Sequence, residues 1–214
     1  MTCQRRVGRP RGRGLPNVTG VSATSIRRGS PDFERAVAEL ARATWRPGLT
    51  VEEIGSPQRI APYSVAISGD LSERDEDLAS GRLILLHDPA GNDAWQGTFR
   101  CVTFARASVD LEMVLDPLLP EVGWSWLTEA LNAHDAQRVL PAGTVTAVYS
   151  QSFGEMAGQT DSAEVEIRAS WTPLLTGDLP LQPHLAAWQD LLCLVAGIPV
   201  LPDDVVAFRA QARR

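Results

Sequence analysis

Strand-like runs follow one another between residues 49 and 109 with no helical pattern between them, and this constrains the fold more than any other feature. Arg59–Ser68, Arg82–Asp88 and Trp95–Val109 read as strands, and Leu49–Ile54 as a shorter edge candidate. Strands arriving in a run, without alternating helices, favour an antiparallel sheet with helices packed on one face. Trp95–Val109 has apolar residues in both alternating sets, as a central strand requires. The acidic stretch Gly69–Gly81 reads as a connecting loop, and His87-Asp88-Pro89-Ala90-Gly91 as a turn.

Helical signals bracket these strands. Ser30 is a good N-cap, Pro31 suits the first helical position and Asp32 favours the positive helix end. Phe33, Val37, Leu40, Ala41 and Thr44 then share one face, and Arg46-Pro47-Gly48 stops the helix. A second helix is expected over Leu119–His134, then strands at Gly143–Phe153 and Ala163–Trp171, then a helix over Pro183–Ala196. The prediction is an α+β fold: an antiparallel sheet of about five strands with three helices packed mainly on one face, in the order α-β-β-β-α-β-β-α. It forms one domain over residues 30–198, flanked by a disordered Arg-rich arm (1–29) and a loose C-terminal tail (199–214).

Composition narrows the function classes. The longest apolar stretch, Leu191–Pro202, is interrupted by Pro199 and falls far short of a membrane span. No secretory signal is legible, so a cytoplasmic location is expected. Cys3, Cys101 and Cys193 are too widely spaced for a zinc site or a disulfide framework. Residues 1–30 hold seven Arg and no acid; the rest of the chain holds thirteen Arg against 26 acids, a net charge of −13, with no Lys anywhere. An acidic body repels phosphate and membrane surfaces, so nucleic acid is expected only through the arm and membrane not at all. There the run Arg9-Pro10-Arg11-Gly12-Arg13 looks like the core of a minor-groove-binding AT-hook, with Gly14 in place of its closing Pro.

Catalytic signatures are sparse. His87, His134 and His184 lie about fifty residues apart with no ligand partner at helical spacing, so no metal and no cofactor are predicted. Gly123-Trp124-Ser125-Trp126-Leu127 lacks the second Gly of a nucleophile elbow and sits inside a helical pattern. The stretch His87–Trp95 places His87, Asp88 and Trp95 beside a Gly turn at a strand end, where binding residues collect, although a hairpin connection explains it too. Arg100, Glu166 and Arg168 could line the sheet face away from the helices, and an Arg–Glu cross-strand pair explains them equally well. On the helix Leu119–His134 the apolar arc spans about 200° of the circumference, against the roughly 100° that a surface helix needs. Trp124 and Leu131 lie at its edge and are the expected partner interface, most simply a homodimer.

Long runs resemble an uncharacterised bacterial family, domain of unknown function 3000. They are PQRIAPYSVA (57–66), DLASGRLILLHDPAGNDAWQGTFR (77–100), DPLLPEVGWSWLTEAL (116–131), EIRASWTP (166–173) and HLAAWQDLLCLVAG (184–197). The resemblance covers about residues 31–198 and implies no activity for any residue. The predicted element order is also similar to that of the small acidic dimeric chaperones of type III secretion, a likeness of fold alone. The expected function is a cytoplasmic, non-catalytic protein-interaction or chaperone-like module. The alternatives are a small enzyme or ligand binder using the 87–95 loop and the open sheet face, and a nucleic-acid-associated protein acting through the arm.

Overall fold

The computed structural model describes residues 30–74, 76–175 and 179–200. Helix α1 (Pro31–Ala41) leads into β1 (Leu49–Ile54), β2 (Tyr63–Glu73), β3 (Glu76–Asn92) and β4 (Gly97–Ser108). A single-turn helix α2 (Leu111–Val114) and the longer α3 (Leu119–Ala133) precede β5 (Arg138–Ser150), β6 (Ser162–Pro173) and α4 (Gln182–Val195). All strand pairs are antiparallel in one sheet of order β1-β2-β3-β4-β6-β5.

The antiparallel α+β expectation holds, with six strands rather than about five. Leu49–Ile54 pairs along its whole length with β2, from Leu49 opposite Leu71 to Ile54 opposite Ala66. Gly69–Gly81, expected as a loop, is instead a tight hairpin in which Leu71 faces Ala79, both buried. Asp70 stands on an outward position and Glu73 pairs with Glu76 beside the tip, where Arg74 takes a positive φ of 53°. Acidic composition hid a period-two burial pattern that only cross-strand pairing makes visible.

One sheet face is covered by helices. Leu83 and Leu85 of β3, Cys101 and Ala105 of β4, and Ile167 and Trp171 of β6 point into it and are buried. Helix α4 lies across β3 and β4. A Cβ at Gly69 would come within 2.7 Å of the Trp188 ring, and one at Gly81 within 2.6 Å of Leu192, so the two glycines let α4 approach the sheet closely. Helix α1 begins as expected: Ser30 caps it, Pro31 takes its first turn, and Phe33 is buried.

The spare apolar arc expected on α3 requires correction. Leu131 is fully buried in the chain's own core. Trp124 is half-buried over β5, where a Cβ at Gly143 would lie 2.9 Å from its ring. Gly123, likewise, lets Val145 come close. The arc is wide because α3 packs on two neighbours at once, β5 and α4.

His184 at the start of α4 is buried and accepts a hydrogen bond from Trp171 Nε1 at 3.1 Å. Burial first, then the nearby Arg138 charge, pulls its pKa from 6.5 down to about 4. The folded protein therefore binds fewer protons here than the unfolded chain between those values. Its contribution is fully present above about pH 6.5 and is lost as the pH falls toward 4, amounting to about 3 kcal/mol. His184→Gln keeps an acceptor for Trp171 without titrating. Denaturant melts across this window should show a shallower acid loss in the variant than in the wild type; parallel curves would refute the assignment.

Candidate functional site

Strand alternation separates the candidate residues. Side chains of β3 point alternately to the helix face and to the open face, so His87 turns inward beside Leu85 while Asp88 turns outward. The His87 ring lies 4.1 Å from that of Phe99 and within 6 Å of Phe33 and Tyr63, measured between centroids. Its Nδ1–H donates to the Thr98 carbonyl at 3.0 Å, and Nε2 accepts from the Ser30 hydroxyl at 2.7 Å. The Phe33 N–H reaches the same Ser30 oxygen at 3.4 Å. Burial lowers the His87 pKa, which keeps this neutral tautomer in place. The Ser–His pair thus joins the N-cap of α1 to the sheet. Asp88 Oδ1 accepts from the Ala90 N–H at 3.1 Å and shapes the descending hairpin, whose turn covers residues 93–96.

Arg100 and Arg168 do lie on the open face. Arg100 is nearly buried, and burial lowers its pKa. Its guanidinium donates to the Leu140 carbonyl (3.0 Å), Thr172 Oγ1 (3.1 Å) and Ser170 Oγ (2.7 Å). Thr172 in turn donates to the Trp95 carbonyl at 2.6 Å, so Arg100 and Trp95 share one node with the β5 bulge. Arg168 contacts Glu166 at 2.6 Å and stacks 5.2 Å from the Phe104 ring centre. Arg168, but not Arg100, flanks a shallow trough of about 630 Å³ floored by Ile84, Val102 and Phe104. Both arginines are engaged by intramolecular partners.

The other concentration of unsatisfied chemistry is apolar. Of the twelve large hydrophobic residues exposed among the described residues, eight lie in two segments, 111–122 and 149–156. Leu115 (67%), Leu118 (58%) and Phe153 (74%) are the most open of these. The two segments meet at one corner. Val109 N–H bonds to the Ala163 carbonyl, Ala163 pairs with Tyr149, and α2 packs against β5 and β6. No Lys or Arg occurs between Arg106 and Arg138, so Asp110, Glu112, Asp116 and Glu121 give this corner an acidic rim.

Sequence reasoning missed Ser30 as the partner of His87, because the two are 57 residues apart and meet only through tertiary packing. It also missed Leu115, Leu118 and Phe153; the cation-free, apolar-rich stretch from 107 to 137 was the available signal. Arg9, Arg11 and Arg13 lie outside the described residues. Among the described residues no three His, Cys, Asp or Glu side chains are grouped to hold a metal ion, and no helix is long and apolar enough to cross a membrane.

A family model described as "Protein of unknown function (DUF3000)" matches residues 29–206, and the chain belongs to that family. No curated protein and no solved structure matches it.

The Ser30–His87 node carries a measurable load. Ser30→Ala removes the cap of α1 and leaves His87 Nε2 without a donor, which should lower unfolding stability by about 1–3 kcal/mol. A denaturant midpoint unchanged from wild type would show that the node is not structural.

Proposed function

We propose that this protein is a non-catalytic interaction module that docks a basic, amphipathic segment of a partner protein on the corner formed by α2, the start of α3 and the β5–β6 connection. The observation that carries this reading is the clustering of exposed large apolar side chains there, Leu115, Leu118 and Phe153 foremost, within an acidic rim. Contiguous exposed apolar surface rimmed by polar groups marks interaction sites. A basic amphipathic helix complements both features: its apolar stripe covers the leucines and its cations meet Asp110, Glu112, Asp116 and Glu121. The open-face trough is the weaker candidate, because Arg100 lies outside its lining with its guanidinium bonded to Leu140, Thr172 and Ser170, and the Arg168 charge is paired with Glu166.

A dye-labelled Leu/Lys amphipathic helical peptide is the probe, with a Leu/Glu peptide of the same pattern as its control. The Leu/Lys peptide should bind the full chain, weaken as salt rises, and lose at least tenfold in affinity to Leu115→Asp/Leu118→Asp; the Leu/Glu peptide should not bind. Both residues are exposed, so the double variant should melt as the wild type does. Equal binding of both peptides, or binding indifferent to the double variant, would sink the reading.

A further inference from the structure

The two edges of the sheet are unlike. At one margin β1 is six residues long and carries Glu52 and Glu53, both exposed. Short strands and charged side chains are the usual protection of an edge against pairing with another chain. At the other margin β5 is thirteen residues long, and among the described residues nothing pairs with its outer side. From Val139 to Gly154 the chain has no charged residue. Between Ala142 and Ser150 there is no proline either, and Thr144, Val145, Thr146 and Val148 are β-branched. A free edge of this kind displays alternate N–H and C=O groups that main-chain pairing with another strand would satisfy.

Charge selects the strand that can come. The chain beyond residue 30 carries −13, so two copies repel wherever their acidic surfaces meet. The uncharged run of β5 is a margin where they can approach without opposing carboxylates. Antiparallel pairing is also self-complementary about a two-fold axis, so one strand supplies both halves of the interface.

We infer that β5 is a pairing edge for a second copy of this chain, with the two strands antiparallel about a two-fold axis at Thr146. This continues each six-stranded sheet into that of the other copy. Nine residues, Ala142 to Ser150, then form a seam of about 30 Å at ~3.4 Å per residue. In this register Thr146 faces its own counterpart, Thr144 faces Val148 and Val145 faces Ala147, all uncharged pairs suited to a pleated surface. Tyr149, 42% exposed, falls opposite Gly143, whose helix-face side Trp124 already covers. The inference goes beyond the proposed docking corner and uses none of the α2 residues.

Light scattering of the full chain reads the result. The wild type should have twice the monomer mass, Thr146→Val should keep it, and Thr146→Arg, which sets two cations against each other on the axis, should halve it with an unchanged melting temperature. Leu115→Asp/Leu118→Asp should leave the mass unaltered, so a failed corner and a failed edge give different results. Thr146→Cys in a Cys3→Ser background should cross-link copies under mild oxidation, because directly opposed residues lie within disulfide reach. This holds as the arbiter if Thr146→Arg does not fold. A wild type that stays monomeric at high concentration overturns the inference. So does a dimer that Thr146→Arg leaves intact and that Thr146→Cys does not cross-link.

Discussion

The seat of α4 on the sheet is the contact on which the rest depends. Nine of its fourteen residues are buried, and Trp188, Leu191, Leu192, Leu185 and Val195 are all but inaccessible. Five such side chains contribute roughly 10 kcal/mol of gross burial, before the entropy of ordering is counted. The helix can come this close only because Gly69 and Gly81 present no side chain beneath Trp188 and Leu192. With α4 in place, α1 and α3 pack on either side of it, and the helix face of the sheet is closed. Surface chemistry is then confined to the open face, the strand edges and the corner at α2.

Buried polar groups hold these layers in register. Ser30, His87 and the Thr98 carbonyl tie α1 to the β3–β4 hairpin. Arg100 ties β4 to the β5 bulge and to β6. His134, at the end of α3, meets Asp190 of α4 at 2.6 Å. Each is a group that costs free energy when buried alone and becomes tolerable when its partners are fixed by packing. Residues with the chemistry of a site, a Ser–His pair and a buried guanidinium, are here joints between elements.

Charge is distributed with the same economy. Acids stand on the outward positions of the β2–β3 hairpin, on β1 and around the α2 corner, while β5 has none between its ends. On the pairing proposed above, copies of the chain meet where that repulsion is absent. The proposed docking corner differs from the proposed seam in its acidic rim, which suits the two surfaces to different partners.

Much of the architecture was legible locally. Ser30-Pro31-Asp32 marks the start of α1, Gly197-Ile198-Pro199 the end of α4, and the uninterrupted run of strands implies an antiparallel sheet, because capping and period are set by neighbours a few residues apart. Alternation also placed Arg100 and Arg168 on the open face. What the sequence did not determine depends on cross-strand register and on which helix faces meet. The hairpin inside Gly69–Gly81, the inward turn of His87 toward Ser30, the burial of Leu131 and the exposure of Leu115 and Leu118 are of this kind. A residue's own neighbours state its periodicity, but only the partner strand and the covering helix, tens of residues away, decide whether a given face meets protein or water.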